Sequence, residues 1–122
     1  MSSLRLKLAG ALAGIILIIA VVASAAELLT GEKIRAFLVG NTVQGSMIAT
    51  GPYSEFYQPD GRVRSKDYIG NWYIDGDQMC FQYFSDPEYC WQVLRDGDAV
   101  QWIKDGRVEG TGTVVKGNPN NF

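Results

Sequence analysis

Apolar and polar side chains alternate from residue 41 onward, in short runs that are separated by turn sequences. The turns combine Asp with Gly or Pro, which tolerate the backbone angles of tight turns. Alternation of this kind is typical of strands that bury one face. The pattern predicts eight strands, near residues 42–49, 53–58, 62–67, 70–75, 78–84, 89–95, 99–104 and 107–115.

One segment before the strands follows a helical period instead. Ile34, Phe37 and Leu38 share one face of a helix predicted over residues 29–40, and Thr30 is expected to cap it. Together the two patterns predict a mainly β fold. A short N-terminal helix lies against an antiparallel up-and-down meander of about eight strands, which forms a small barrel or a curled sheet.

Strand parity predicts which side chains face the interior. The inner face is expected to hold Trp72, Ile74, Met79, Phe81, Tyr83, Trp91, Val93, Val100 and Trp102. Val108, Gly110, Gly112 and Val114 continue that face on the last strand, where the two glycines leave room for large neighbours or a bend. The inner aromatic rings either pack a solid core or line a cavity, and the sequence leaves that choice open.

Residues 1–25 have the pattern of a secretory signal peptide. Two cations precede an apolar run over residues 8–22, and Ala23 and Ala25 occupy the small-residue positions of a cleavage site. A membrane anchor retained over residues 8–26 is the alternative, because about twenty apolar residues span a bilayer.

Both interpretations place the remaining chain outside the cytoplasm, because the basic end of the segment stays on the cytoplasmic side. We expect a single β-domain over residues 26–117 and a tail over residues 118–122. The predicted location is the periplasm or cell envelope of a bacterium. Contact with a membrane is expected only if the anchor is retained.

The two cysteines are placed for a disulfide bond. If residues 84–86 form the loop of a hairpin, Cys80 lies directly opposite Cys90, and strand parity puts both on the outer face. An exported protein meets an oxidising environment in which such bonds persist. A redox or metal pair is disfavoured, because the C-x-x-C spacing and companion ligands are missing.

Composition excludes several classes of function. Without residues 1–25 the chain keeps nine cations against thirteen anions, a net charge of about −4, which argues against nucleic-acid binding. Histidine is absent, which removes the commonest general base and most zinc sites. The Asp-Gly-Asp sequences fit hairpin turns better than calcium loops. We therefore expect no catalytic residues, no cofactor and no metal.

One strand carries a row of cations. Arg62, Arg64 and Lys66 alternate along it, so they share a face that could receive an anionic ligand or an acidic partner. Tyr73 and Tyr89 complete this candidate binding surface. The alternative is a solvated edge strand, whose charges discourage sheet-to-sheet association.

The order of several short motifs resembles a known family. They are the helix sequence Leu-Thr-Gly-Glu-x-Ile-Arg at 29–35, Gly-Asn-Trp-Tyr-Ile-Asp-Gly-Asp at 70–77 and Tyr-Cys-Trp at 89–91. Over residues 28–110 the chain resembles small exported alphaproteobacterial proteins of unknown function, the DUF995 type of domain. The resemblance implies an export signal, a small β-domain and one disulfide, and it supplies no catalytic residues.

The expected function is that of an exported, non-enzymatic binding or interaction protein, whose partner is an unknown envelope protein or a small ligand. Two alternatives stay open. One is a calycin-like carrier that holds a small apolar ligand inside the barrel. The other is an inhibitor of an envelope hydrolase, which would insert the loop at residues 85–88.

Overall fold

The computed structural model describes residues 14–18 and 25–122. Most of the predicted signal peptide at residues 1–25, and of the alternative anchor at 8–26, lies outside the described residues. Within the described ranges, no helix is long and apolar enough to cross a membrane.

Nine strands and one helix follow one another along the described chain. The helix, α1, spans Gly31–Leu38. The strands are β1 (Glu27–Leu28), β2 (Asn41–Met47), β3 (Gly51–Tyr57), β4 (Arg62–Arg64), β5 (Ile69–Asp75), β6 (Gln78–Tyr83), β7 (Tyr89–Asp96), β8 (Ala99–Lys104) and β9 (Arg107–Lys116).

Strands β2 to β9 form a closed antiparallel barrel. Each strand pairs with the next in chain order, and β9 returns to pair with β2 from Asn41 opposite Lys116 to Met47 opposite Gly110. The predicted mainly β meander is therefore confirmed, and the sheet is a barrel. Short β1 is an addition that pairs with the end of β7, with Leu28 opposite Leu94.

The predicted inner face is also confirmed. Trp72, Met79, Phe81, Val93, Val100 and Trp102 are buried, and Ile74, Tyr83 and Trp91 pack against them. A side chain at Gly110 would collide with the sulfur of Met47, and one at Gly112 would meet the Tyr53 hydroxyl. The two glycines therefore leave room for large neighbours, as their position on the strand predicts.

Helix α1 closes one end of the barrel. It contacts β2 on one side of the ring and β5 and β6 on the opposite side. Its apolar face is fully buried at Ile34 and Leu38, as the helical period predicts. Asp77, in the turn between β5 and β6, accepts a hydrogen bond from the Gly31 amide at 2.9 Å and ties the helix start to the barrel.

The helix is shorter than the predicted 29–40. Thr30 has an extended backbone and accepts a hydrogen bond from the Lys33 amide at 3.4 Å, so it caps the helix as predicted, and the first helical residue is Gly31. Val39 is extended again, and Gly40 has a φ of 81°, which stops the last turn.

The predicted disulfide joins Cys80 to Cys90, with an S–S distance of 2.06 Å. The two residues are opposite each other, and Met79 opposite Trp91 and Phe81 opposite Tyr89 complete the β6–β7 ladder. The bond therefore lies at the centre of a short strand pairing. A disulfide is typical of proteins from oxidising, exported environments.

The predicted tail at 118–122 folds into a hydrogen-bonded turn. The Asn118 side chain donates to the Phe122 carbonyl and accepts from the Phe122 amide. The Asn120 side chain reaches the Ser54 hydroxyl on the outer side of β3, at 3.3 Å. The turn thus lies against the barrel.

Candidate functional site

The end of the barrel opposite α1 surrounds a cavity of about 710 Å³. Up-and-down connections place four loops at this end, at residues 48–50, 65–68, 84–88 and 105–106. Ile48 is 80% exposed and Phe84 is 77% exposed, on loops from opposite sides of the ring, and Val108 is also partly exposed. These apolar side chains form the rim of the cavity.

Three buried rings form the floor of the cavity, namely Tyr57, Phe81 and Trp102. Phe81 is at the centre, because its ring centroid lies 5.5 Å from both Tyr57 and Trp102. The Trp102 indole N–H donates to the Tyr53 hydroxyl at 2.8 Å, and Tyr53 donates to the Thr111 carbonyl at 2.9 Å. The floor is therefore held in a fixed arrangement.

The wall of the cavity is aromatic as well. Tyr89 stacks on Trp91 with centroids 5.8 Å apart and planes within 16°. On the other side of the hairpin, Tyr68 meets Tyr83 edge to face at 5.6 Å. Rings of this kind give a ligand large, rigid and apolar contact surfaces.

One carboxyl group lies inside this aromatic cavity. Glu55 points inward from the middle of β3, between Tyr53 and Tyr57, and is only 5% exposed. The Tyr68 hydroxyl donates to its Oε2 at 2.6 Å, and the Tyr83 hydroxyl donates to the same oxygen at 2.8 Å. The Tyr57 hydroxyl approaches Oε1 at 3.2 Å.

The pKa values of this cluster follow from burial. Burial raises the pKa of the Glu55 carboxyl, and the three tyrosine hydrogen bonds oppose that rise without cancelling it. Burial also raises the pKa of Tyr57, Tyr68 and Tyr83, and the charge of Glu55 raises them further. The hydroxyls therefore stay protonated and act as donors.

This cluster has no cationic member. Within the described residues, the hydrogen-bond partners of Glu55 are the three tyrosine hydroxyls, and no lysine or arginine pairs with it. Three converging donors suit an ionised carboxylate, which only accepts. The arrangement can bind a polar group of a ligand, and no group of acids or cysteines in the described chain is placed to hold a metal ion.

A second carboxyl group lines the cavity nearer to its rim. Glu109 follows Val108 on β9 and accepts a hydrogen bond from the Trp91 indole N–H at 2.8 Å. This bond fixes the orientation of Trp91, whose ring lies 5.7 Å from Phe81. Glu55 and Glu109, the two carboxyl groups that β3 and β9 place in the cavity, are thus both held by aromatic partners.

The predicted basic surface is divided in the structure. β4 ends at Arg64, so Lys66 lies in the following loop instead of on the strand. Arg62 is 3.8 Å from Asp60, and Arg64 donates to the Gln58 side chain at 2.9 Å. Two of the three cations therefore have partners in or beside the turn between β3 and β4.

The two predicted tyrosines lie in different places. Tyr73 is on the outer face of β5, where its hydroxyl donates to Glu88 at 2.7 Å, and this bond raises its pKa. Tyr89 lines the cavity. The structure thus brings Tyr89 into the candidate site and leaves Tyr73 outside it.

Glu55 is missing from the residues that the sequence singles out, because most acids of this chain occur in turns. A signal is nevertheless present. Tyr53, Glu55 and Tyr57 alternate within a predicted strand, so the carboxyl group shares a face with two large aromatic rings. An acid at such a position has to find partners inside the protein.

No family model, curated protein or solved structure matches this chain. The resemblance to the DUF995 type of domain therefore stays a prediction.

Proposed function

We propose that this protein is an exported carrier that binds a small, largely apolar molecule in the open end of its barrel. The observation that supports this most directly is the cavity of about 710 Å³ lined by aromatic side chains. Its volume lies in the range of about 300–1,000 Å³ that is usual for small-molecule sites. Such sites are usually lined by many apolar side chains and a small number of polar groups.

Two features of the barrel suit a carrier. α1 seals one end, so a ligand enters and leaves only between the four loops of the other end. The exposed rim residues Ile48 and Phe84 offer an apolar path from water to the floor. A general interaction surface has less support, because Arg62 and Arg64 already have local partners.

The proposed location is the periplasm or cell envelope of a bacterium. The Cys80–Cys90 disulfide supports it, because such bonds persist in oxidising compartments. The basic and apolar pattern of residues 1–25 supports it as well. The carrier acts by binding alone and uses no cofactor.

The test is binding of N-phenyl-1-naphthylamine, an uncharged fluorescent probe, to the full chain. The variant Val108→Trp adds an indole at the rim and should weaken binding by about tenfold or more, because it takes up ligand space. The matched control is Ile69→Trp, which changes an exposed aliphatic residue outside the cavity.

Saturable binding that Val108→Trp weakens and Ile69→Trp leaves unchanged would support the carrier. Absence of saturable binding, or equal binding by both variants, would overturn it. Circular dichroism of each variant shows whether the barrel has formed, so that a folding failure is recognised separately.

A further inference from the structure

The charged residues of the cavity are mostly acidic. Its charged lining residues are Glu55, Asp86, Glu109 and Arg107, three carboxylates and one guanidinium. Asp86 and Arg107 are exposed at the rim, whereas Glu55 is buried among the tyrosines. A ligand that reaches the floor therefore meets a carboxyl group without a cationic partner.

We propose that the ligand of this cavity is an organic cation, a primary amine on an apolar body, whose ammonium group binds at Glu55. The proposal rests on the carrier function and names its ligand class. The body lies between the rings of the wall, and the ammonium group supplies the positive charge that the buried carboxylate lacks.

An ammonium group has three donors, and the cluster offers it two kinds of acceptor, the Glu55 carboxylate and the tyrosine oxygens. Each tyrosine hydroxyl gives its hydrogen to Glu55 and keeps lone pairs that can accept from the ligand. The oxygens of Tyr68 and Tyr83 both lie within 2.8 Å of Glu55 Oε2, so they stand beside the carboxylate that would carry the ion pair. A single ammonium group can therefore be satisfied at this point.

The aromatic wall favours the same charge. The faces of Trp and Tyr rings attract cations at distances up to about 6 Å, and most strongly where water is excluded. Trp91, Trp102 and Tyr57 surround Phe81 on the floor. An anionic ligand would instead meet the negative ring faces and the Glu55 carboxylate, without a buried cation to offset either.

The ion pair also predicts how pH affects binding. Burial raises the pKa of Glu55, and a bound ammonium group favours its charged form. The groups that face Glu55 are Tyr53 and Tyr57 on β3, Tyr68 before β5 and Tyr83 on β6, all neutral hydroxyls. Affinity for a cation should therefore fall as the pH drops through the pKa of Glu55.

Three probes with the same ring and different charge test the proposal by calorimetry on the full chain. They are 1-naphthylmethylamine, which is cationic, 1-naphthalenemethanol, which is neutral, and 1-naphthoate, which is anionic. We expect the amine to bind at least about tenfold more tightly than the alcohol, as charge-assisted hydrogen bonds in a buried site allow. The naphthoate should bind most weakly.

The variant Glu55→Gln keeps the shape of the side chain and removes its charge. In this variant the amine should bind no more tightly than the alcohol, so the preference for the amine is lost. The matched control is Glu88→Gln, which removes the same charge from an exposed position outside the cavity and should keep that preference. Circular dichroism of each variant shows separately whether the barrel has formed.

The outcomes separate the two proposals. If the alcohol binds and the amine shows no advantage, or if Glu55→Gln keeps that advantage, the cation proposal fails and the carrier stands. If none of the three probes binds, the cation proposal fails. If, in addition, Val108→Trp leaves the binding of N-phenyl-1-naphthylamine unchanged, the carrier proposal fails as well. If the parent protein and Glu88→Gln prefer the amine and Glu55→Gln does not, the result supports both the cation proposal and the carrier.

Discussion

Mostly aliphatic side chains, together with Trp72, fill the barrel end that carries α1, whereas aromatic side chains surround a cavity at the other end. Val43, Val63, Met79, Val93 and Val100 lie near the helix end of their strands and are buried. α1 completes this layer with its own buried face. At the other end of the barrel, the cavity lies between the four loops at residues 48–50, 65–68, 84–88 and 105–106.

This difference separates the packed end of the barrel from the end that holds the proposed binding site. Buried aliphatic groups at the closed end contribute hydrophobic stabilisation and fit together at high density. The open end buries its side chains less densely and so contributes less hydrophobic stabilisation. Its rings are held instead by hydrogen bonds to Glu55, Glu109 and Tyr53. On the carrier proposal, a ligand is exchanged at one end while the packing of the other end stays unchanged.

The largest expected effect comes from the same substitution at the two ends. Ile34→Ala should lower the free energy of unfolding by about 3 kcal/mol, because it leaves a void in a fully buried layer. Ile48→Ala, at the rim, should change it by less than about 0.5 kcal/mol. Urea unfolding measures both, and equal losses would contradict the division between the ends.

Loss of the disulfide should have the next largest effect. The bond closes a separation of 10 residues in the hairpin that carries Tyr83 and Tyr89 into the cavity wall. Replacing Cys80 and Cys90 by alanine should lower the free energy of unfolding by about 2–3 kcal/mol on the chain-entropy model. Chemical unfolding of the variant and of the reduced parent protein checks this, and the two should agree.

The smallest effect is a change in how stability depends on pH. Folding raises the pKa of Glu55 above its ordinary value of 4.5, so the protonated carboxyl group favours the folded state. This contribution to the free energy of unfolding is complete below pH 4.5 and is lost as the pH rises through the raised pKa. Relative to Glu55→Gln, the parent protein should therefore lose stability as the pH rises above 4.5.

Urea unfolding at a series of pH values measures that difference. Glu88→Gln, on the exposed loop, serves as the control and should follow the parent protein. Identical pH profiles for the parent protein and Glu55→Gln would show that burial does not control this carboxyl group.

The regular features of the fold follow from local patterns. Strand alternation and the Asp-Gly turns fix the eight strands to within a few residues, except that β4 ends at Arg64 instead of residue 67. The register of the β6–β7 hairpin follows from its loop, which is why Cys80 and Cys90 could be paired. Strand β1 was not predictable, because a pair of residues shows no period.

The candidate site depends on distances that no local pattern contains. Parity places Tyr83 and Trp91 on the inner face, yet the choice between a filled and a hollow barrel depends on how well the side chains of all eight strands fill the interior. Glu55 meets Tyr68 and Tyr83 from sequence separations of 13 and 28 residues. The pairing of β3 through β6 in the barrel wall brings these hydroxyls to one carboxyl group.

The pairing of β9 with β2 sets the order in which the barrel can be completed. During synthesis from the N-terminus, β2 and later β8 each have one edge without a partner strand. Both edges stay open until residues 107–116 are made, because β9 pairs with both strands. The earlier hairpins can form before that point, but the barrel closes only when the last strand pairs with β2. A polypeptide truncated before β9 would keep two adhesive edges and should associate with its own copies.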